Sequence, residues 1–107
     1  MTAWTYPAVV LRVVDGDTVR LNLDLGLHIW RTDNCRIAGI NAPETNTPAG
    51  RAAAAYAAEL LPPDTRVTFT SERLEKYGRP LGRLTLADGR DLAALMLAAG
   101  HAIPYMT

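Results

Sequence analysis

The chain has 107 residues, of which 49% are hydrophobic and 21% are charged, a composition typical of one soluble globular domain. Eleven basic residues balance eleven acidic residues, so the net charge gives no sign of nucleic-acid binding and any basic surface must be local. The single cysteine, Cys35, excludes an intrachain disulfide and is expected to be a small buried hydrophobe, and two distant histidines make no zinc pattern with it.

Two β-strands joined by a tight turn are predicted at the start of the chain. Residues 8–14 are mostly apolar and β-branched, and residues 18–25 alternate between polar and apolar side chains, as in a strand with one buried face. The dipeptide Asp15-Gly16 between them is typical of a hairpin turn, in which both positions favour positive φ. Asp17 has the parity of the apolar side chains. It is therefore either a solvated turn residue or a core-facing carboxylate that needs a cation or a metal ion.

A third strand is predicted over residues 27–40, with an irregularity at residues 32–34, and it ends where Pro43 presets a turn. The stretch from Cys35 to Thr45, CRIAGINAPET, carries an arginine, an amide and a carboxylate around that turn. Arginine binds phosphate, an asparagine oxygen can ligate a hard metal ion, and glutamate can take a proton from water. Taken alone, the stretch also fits a strand that ends in a proline turn with two exposed polar residues.

The second half of the chain predicts two helices and two strands. Thr47-Pro48 is a good N-cap and first turn for a helix over residues 49–61, with an apolar stripe at Ala53, Tyr56, Ala57 and Leu60. Further elements follow in order: a strand at 66–70, a charged loop at 71–80, a strand at 81–86, and a helix at 92–99 that Asp91 caps and Gly100 ends. The three basic residues and one aromatic residue of the charged loop can bind a phosphate and stack a base, but a solvated hairpin loop is the alternative.

This order of elements predicts a mainly β (α+β) fold, namely a five-stranded OB-type barrel with two helices, an architecture that binds oligonucleotides on one face. We expect a single domain over residues 1–107, with tails at 1–7 and 106–107. The longest apolar run, residues 92–99, is too short to span a bilayer, and no signal peptide is visible in residues 1–7. We therefore expect a cytoplasmic or other intracellular, reducing setting without a membrane partner.

Three motifs, in this order, resemble the staphylococcal nuclease (thermonuclease-like) family. They are VVDGDTV at residues 13–19, RIAGINAPET at 36–45 and KYGRPLG at 76–82. The resemblance extends from about residue 8 to residue 105, and it implies a calcium-dependent nuclease that hydrolyses phosphodiester bonds of DNA or RNA, with single-stranded nucleic acid as its partner. Because the sequence ends soon after residue 105, we expect the barrel to lack the third C-terminal helix of longer members.

Carried over residue by residue, the resemblance divides the site into catalytic, metal-binding and substrate-binding groups. The catalytic residues it implies are Arg36 and Arg79, which hold the phosphate, and Glu44, which positions or deprotonates the attacking water. The implied Ca²⁺ ligands are the side chains of Asp17 and Asn41 and the backbone carbonyl of Ala42, with Asp15 supporting the metal loop from behind. The implied substrate-binding residues are Lys76, Tyr77 and Tyr105.

Two positions differ from the family pattern. Asn41 stands where the family usually has an aspartate, and Ala42 stands where it usually has a threonine. Loss of one carboxylate should weaken calcium binding, so a catalytically silent module that binds nucleic acid or protein is the alternative to a small, by default monomeric, nuclease. An unrelated barrel with accidental motifs is a third possibility. The set Asp17, Arg36, Glu44 and Arg79 favours the enzyme.

Overall fold

The protein was analysed as a computed structural model that describes residues 4–76 and 78–105. The elements are β1 Trp4–Asp15, β2 Thr18–Asp24, β3 Trp30–Ile37, β4 Ile40–Asn41, α1 Pro48–Leu60, β5 Arg66–Leu74, β6 Pro80–Leu86, α2 Leu92–Ala98 and β7 Ile103–Pro104. Five of the strands form a closed barrel in the order β1-β2-β3-β6-β5, and β4 and β7 form a small antiparallel sheet. The predicted mainly β, five-stranded OB-type barrel with two helices is confirmed. No helix in the described part of the chain is long and apolar enough to cross a membrane.

The barrel core is built by the alternation seen in the sequence. On β2, Val19, Leu21 and Leu23 are buried, whereas Arg20 and Asn22 between them are partly exposed. The strands are antiparallel everywhere except at β3 and β6, which pair in parallel through only two residue pairs, Arg36↔Leu81 and Ile37↔Gly82. Residue 36 therefore lies at the position where the barrel closes.

Both helices begin at the predicted caps. The side chain of Thr47 accepts a hydrogen bond from the Gly50 N–H, and that of Asp91 accepts one from the Ala94 N–H, which satisfies orphan donors of each first turn. The apolar stripe of α1 faces the barrel, with Ala53 and Ala57 fully buried. Small side chains on this face let the helix approach the first hairpin closely.

Several predicted boundaries are wrong. The strand expected over residues 27–40 splits into β3 and β4 around a turn at residues 38–39, where Gly39 adopts a φ of +85°. The strand expected at 66–70 continues to Leu74, because its partner β6 begins at Pro80 and a register shift between Ser71 and Arg73 keeps the pair together. Residues 4–7, expected to be part of a tail, belong to β1 and pair with β5.

Gly16 serves a different purpose from the one predicted. Unlike five other glycines among the described residues, Gly16 does not adopt a positive φ. Instead, a Cβ at this position would lie 2.8 Å from the Cβ of Ala42 and 3.0 Å from the Cβ of Ala53. The turn between β1 and β2 therefore uses glycine to let α1 and the segment after β4 pack directly against it.

Candidate active site

Asp17 is a buried carboxylate in the turn between β1 and β2. Its Oδ2 accepts a hydrogen bond of 2.8 Å from the Ala42 N–H, and its Oδ1 accepts one of 3.1 Å from the Thr18 hydroxyl. The Arg36 guanidinium lies 3.5 Å from the same Oδ2. Asp17 is a turn residue, as one of the two predictions had it, but it is not solvated. Only 7% of its surface is exposed, and it faces a cation, as expected for a core-facing carboxylate. A buried carboxylate requires such partners.

Asp15, at the end of β1, contacts this turn. Its Oδ1 accepts a hydrogen bond of 3.1 Å from the Asp17 N–H. Burial, together with a hydrogen bond between the two carboxyl groups, raises the pKa of Asp15 to about 6. Burial acts in the same direction on Asp17, but hydrogen bonds from Asp15 and the Ala42 N–H and the charge of Arg36 outweigh it and hold the pKa of Asp17 below its usual value. Of the two groups, Asp17 therefore carries the negative charge more firmly.

Arg36, near the end of β3, is fixed by backbone carbonyl groups. Its Nη1 donates to the carbonyl of Ile37 at 2.9 Å, and its Nη2 donates to the carbonyl of Ile40 at 2.8 Å. The same Nη2 lies 3.5 Å from the side-chain oxygen of Asn41. Strand parity alone puts residues 36 and 41 on opposite faces, and the turn between β3 and β4 is what brings their side chains together. The guanidinium is therefore held in one orientation without any ligand.

A cleft of about 630 Å³ opens in front of Arg36. Four other residues singled out from the sequence contribute to its lining, namely Asn41, Lys76, Arg79 and Tyr105. The Tyr105 ring lies 5.8 Å from the guanidinium carbon of Arg36, a cation–π distance, and the Tyr105 N–H donates to the Gly39 carbonyl. The remaining lining residues are Arg73, Leu74, Glu75 and Leu81. Side chains from distant parts of the sequence thus share one basic cleft.

The loop between β5 and β6 presents Arg79 to this cleft. Arg79 Nη2 donates to Glu75 Oε2 at 2.9 Å, and the backbone of the same two residues closes the loop through a hydrogen bond of 2.7 Å. From β3, Arg31 Nη2 donates to the Gly78 carbonyl at 3.0 Å and also pairs with Asp33. Sequence reasoning missed this contribution of Arg31, since nothing local links it to a loop so much later in the chain. Tyr77, also predicted to bind substrate, lies outside the described residues.

Glu44 is exposed and is not among the described residues that line the cleft. Its backbone is nonetheless fixed, because its carbonyl accepts hydrogen bonds from the Thr47 N–H and hydroxyl at the start of α1. Gly50 lies directly beneath this carbonyl, and a Cβ there would overlap it. The structure thus places Glu44 two residues beyond Ala42, at the edge of the site rather than inside the cleft.

The residues that the resemblance assigns as metal ligands supply oxygen donors. A carboxylate, an amide oxygen and a backbone carbonyl, from Asp17, Asn41 and Ala42, are oxygen ligands of the kind that Ca²⁺ prefers. Within the described ranges, no group of three or more His, Cys, Asp or Glu side chains could hold a metal ion. Binding here would therefore depend on the amide and carbonyl oxygens as well as on Asp17, with one formal charge among the three ligands.

Comparison with known proteins is consistent with this geometry. The profile of the family described as staphylococcal nuclease homologue matches residues 34–107. The chain is 31% identical to Endonuclease YhcR of Bacillus subtilis (strain 168) across 94% of its own length and 9% of that protein's. It is 32% identical to an uncharacterized endonuclease of Escherichia coli O157:H7, across 90% and 59% of the two lengths. It is 33% identical to the thermonuclease of Staphylococcus intermedius, across 75% and 49%. The chain thus spans less than two thirds of each of these relatives.

Proposed function

The chain belongs to the staphylococcal nuclease homologue family, and from this we propose that it is a calcium-dependent nuclease that hydrolyses phosphodiester bonds of DNA and RNA. One observation carries the proposal. The buried guanidinium of Arg36 lies 3.5 Å from oxygens of both Asp17 and Asn41 and lines the same cleft as Arg79. A phosphate in that cleft would meet two arginines and Asn41, whereas Asp17 contacts Arg36 but is not among the residues that line the cleft.

The two arginines bind the phosphodiester and offset the charge that develops on it. A guanidinium can make two parallel hydrogen bonds to phosphate oxygens, which a lysine cannot. Arg36 is already oriented by the carbonyls of Ile37 and Ile40, which accept from its Nη1 and Nη2, so a phosphate would bind its Nε–H or replace one of these acceptors. Arg79 must exchange its contact with Glu75 for the phosphate. The two residues therefore differ in how much each is preorganised.

The metal-binding role falls to Asp17, Asn41 and the carbonyl of Ala42, with Asp15 as support. Calcium bound there would polarise the phosphate and orient the attacking water. Asp17 is suited to this role because its partners keep it ionised well into acidic pH. The hydrogen bond from the Ala42 N–H to Asp17 also holds the backbone at Ala42, whose carbonyl is the proposed third ligand.

Glu44 takes the proton from the attacking water. Its carboxylate is solvent-exposed, so it is available to accept a proton, and its backbone is anchored at the start of α1 next to the ligand segment. Lys76 and Tyr105 line the cleft and would hold the rest of the nucleotide. Tyr77 is assigned a substrate contact by resemblance alone.

A silent nucleic-acid-binding module is the second candidate, and two observations favour it. Asn41 is neutral, and Glu44 lies outside the lining of the cleft as described. Such a module would keep the arginine-lined cleft and bind phosphate without cleaving it.

An assay of single-stranded DNA cleavage, with calcium and with chelator, distinguishes the nuclease from the silent binding module. We expect calcium-dependent cleavage that is lost in Asp17→Ala and reduced at least about a hundredfold in Glu44→Gln, since general-base catalysis contributes roughly 10²- to 10⁴-fold. Glu59→Gln, which changes an exposed acid on α1, is the matched control and should cleave normally. Thermal unfolding of each variant checks that the fold is retained. Binding of DNA without cleavage, unchanged by either site substitution, would identify the silent module.

A further inference from the structure

A second cavity lies at one end of the barrel, next to the cleft. Its volume is about 240 Å³, and its lining includes Tyr6, Leu23, Leu25, Arg31, Phe69 and Leu74. We call this cavity the barrel mouth. Leu74 lines both the barrel mouth and the cleft, so the two cavities meet across one side chain. Arg31 joins them again, because it lines the mouth and donates to the Gly78 carbonyl in the loop that carries Arg79.

Exposed large apolar side chains lie on the strand segments that line or adjoin the barrel mouth, since Trp4 pairs with the lining residue Ser71 and Trp30 directly precedes the lining residue Arg31. Trp4 is 71% exposed, Trp30 is 49% exposed and Leu27, at the tip of the β2–β3 hairpin, is 92% exposed. Leu25 and Leu74 are also exposed although they line the cavity. Six of the ten exposed large apolar side chains among the described residues belong to these segments, namely Trp4, Leu25, Leu27, Ile29, Trp30 and Leu74, and such a concentration is typical of a binding surface.

We propose that the barrel mouth is a second nucleotide subsite, which receives the base adjacent to the phosphodiester held in the cleft. This inference rests on the proposed function and specifies its substrate as a single strand of at least two nucleotides. Stacking on apolar and aromatic side chains is how proteins hold unpaired bases, and it tolerates any base because every base has a π face. A base in a duplex would not be free to enter.

The size and polarity of the mouth fit a base better than a whole nucleotide. Its volume lies below the roughly 300–1,000 Å³ of pockets for drug-sized ligands, so it suits one flat ring system. Tyr6 and Leu25 offer apolar contact, while the Arg31 guanidinium and the Ser71 hydroxyl, which also lines the cavity, can reach the polar edge of a base.

A lipid surface fits this end of the barrel less well. Asp24 and Asp33 lie at the same end, on the strands that flank the β2–β3 hairpin, and Asp33 already neutralises Arg31. An anionic membrane would be opposed by these carboxylates, whereas a base is uncharged. The basic groups lie instead on the cleft side, at Arg73, Lys76 and Arg79, where the phosphates of a strand would run.

Trp4 pairs with Ser71 and Trp30 directly precedes Arg31, so both tryptophans adjoin residues that line the mouth, and we expect their fluorescence to respond to its occupancy. We would titrate the full chain with tetrathymidylate and with thymidine monophosphate, in chelator so that no cleavage occurs. The tetranucleotide should change the tryptophan emission and bind at least about fivefold tighter than the mononucleotide, since one stacked base contributes roughly 5- to 150-fold. The mononucleotide, which fills only the cleft, should leave the emission almost unchanged.

Matched leucine substitutions locate the effect. Leu25→Gln and Leu97→Gln change two leucines of nearly equal exposure, 40% and 37%, but only the first lines the mouth. Leu25→Gln should weaken tetranucleotide binding about threefold or more without affecting the mononucleotide, whereas Leu97→Gln should change neither. Tyr6→Ala should produce a larger loss of the same kind, and thermal unfolding would show whether this half-buried residue is also needed for stability.

The possible outcomes separate this inference from the proposed function. If the protein cleaves DNA in a calcium-dependent manner but all variants bind the tetranucleotide with equal affinity, the subsite is overturned and the proposed nuclease function stands. Failure of both nucleotides to bind, without cleavage, would reject both. If the tryptophan emission does not respond to tetrathymidylate, the subsite is overturned. A response to anionic phosphatidylserine vesicles would then assign the mouth to a membrane, and a response to self-association would assign it to a second copy of the chain.

Discussion

Replacing Asn41 by aspartate tests whether this side chain is a metal ligand. The two side chains have the same shape, so the substitution adds a negative charge to the site without creating a cavity. Asn41 is exposed and its oxygen lies 3.5 Å from Arg36 Nη2. In the absence of calcium, the new carboxylate gains an exposed ion pair worth about 0–1 kcal/mol, so stability should change little.

The effect on calcium is larger. A unit negative charge at the usual ligand distance of about 2.4 Å from a divalent ion gains roughly 3.5 kcal/mol even with the dielectric constant of water. The attraction between the same carboxylate and Arg36 removes about 1 kcal/mol of this gain, because the arginine competes for it. Allowing for further losses to dehydration, we expect calcium to bind at least about tenfold tighter in Asn41→Asp, which corresponds to about 1.4 kcal/mol.

Isothermal titration with calcium measures this directly, and the rise of the unfolding temperature with calcium concentration provides a second measurement. Asn34→Asp is the matched control, because the Asn34 oxygen also accepts from an arginine, Arg20, at 3.0 Å. That change adds the same charge beside a guanidinium on β3, away from the proposed ligands. Unchanged calcium affinity in Asn41→Asp, or an equal gain in both variants, would refute the reasoning that Asn41 is a ligand.

Three further predictions concern the surroundings of the cleft. Gly50→Ala should destabilise the protein by several kcal/mol and impair cleavage, measured by thermal unfolding and DNA hydrolysis, because its Cβ would displace the Glu44 backbone. Glu75→Gln should strengthen phosphate binding up to about fivefold by releasing its arginine partner, whereas Glu72→Gln, which changes an exposed acid on the preceding strand β5, should not. Burial, aided by the nearby Asp33 charge, raises the pKa of the Cys35 thiol to about 12, so a thiol reagent at pH 8 should label it only as fast as the protein unfolds, and rapid labelling of the native state would contradict this.

The parts of the fold that could be predicted are those set by local patterns. Strict alternation identified β2, and the caps at Thr47 and Asp91 placed both helix starts within a residue of where they are. The length of β5 could not be predicted, since Glu72 and Arg73 look like loop residues in sequence and are strand residues only because β6 pairs beside them. Tertiary pairing overrides local polarity in that segment.

The candidate site was predictable to a similar extent. Motif resemblance identified side chains that the structure gathers around one cleft, including Arg36, Asn41 and Arg79. It could not indicate that Glu44 would lie outside the cleft lining, or that Glu75 would pair with Arg79, because both depend on loop conformation. The residue roles themselves stay predictions until the variants are assayed.

The parallel junction between β3 and β6 has a consequence for how the protein folds. Most neighbouring strands here are antiparallel, and the β1–β2, β2–β3 and β5–β6 pairs join segments close in sequence, which form early at small entropic cost. The junction joins segments far apart in sequence through two residue pairs, and one of those pairs contains Arg36. A nascent chain can therefore complete its hairpins before it possesses the cleft, and the proposed catalytic site would form together with barrel closure.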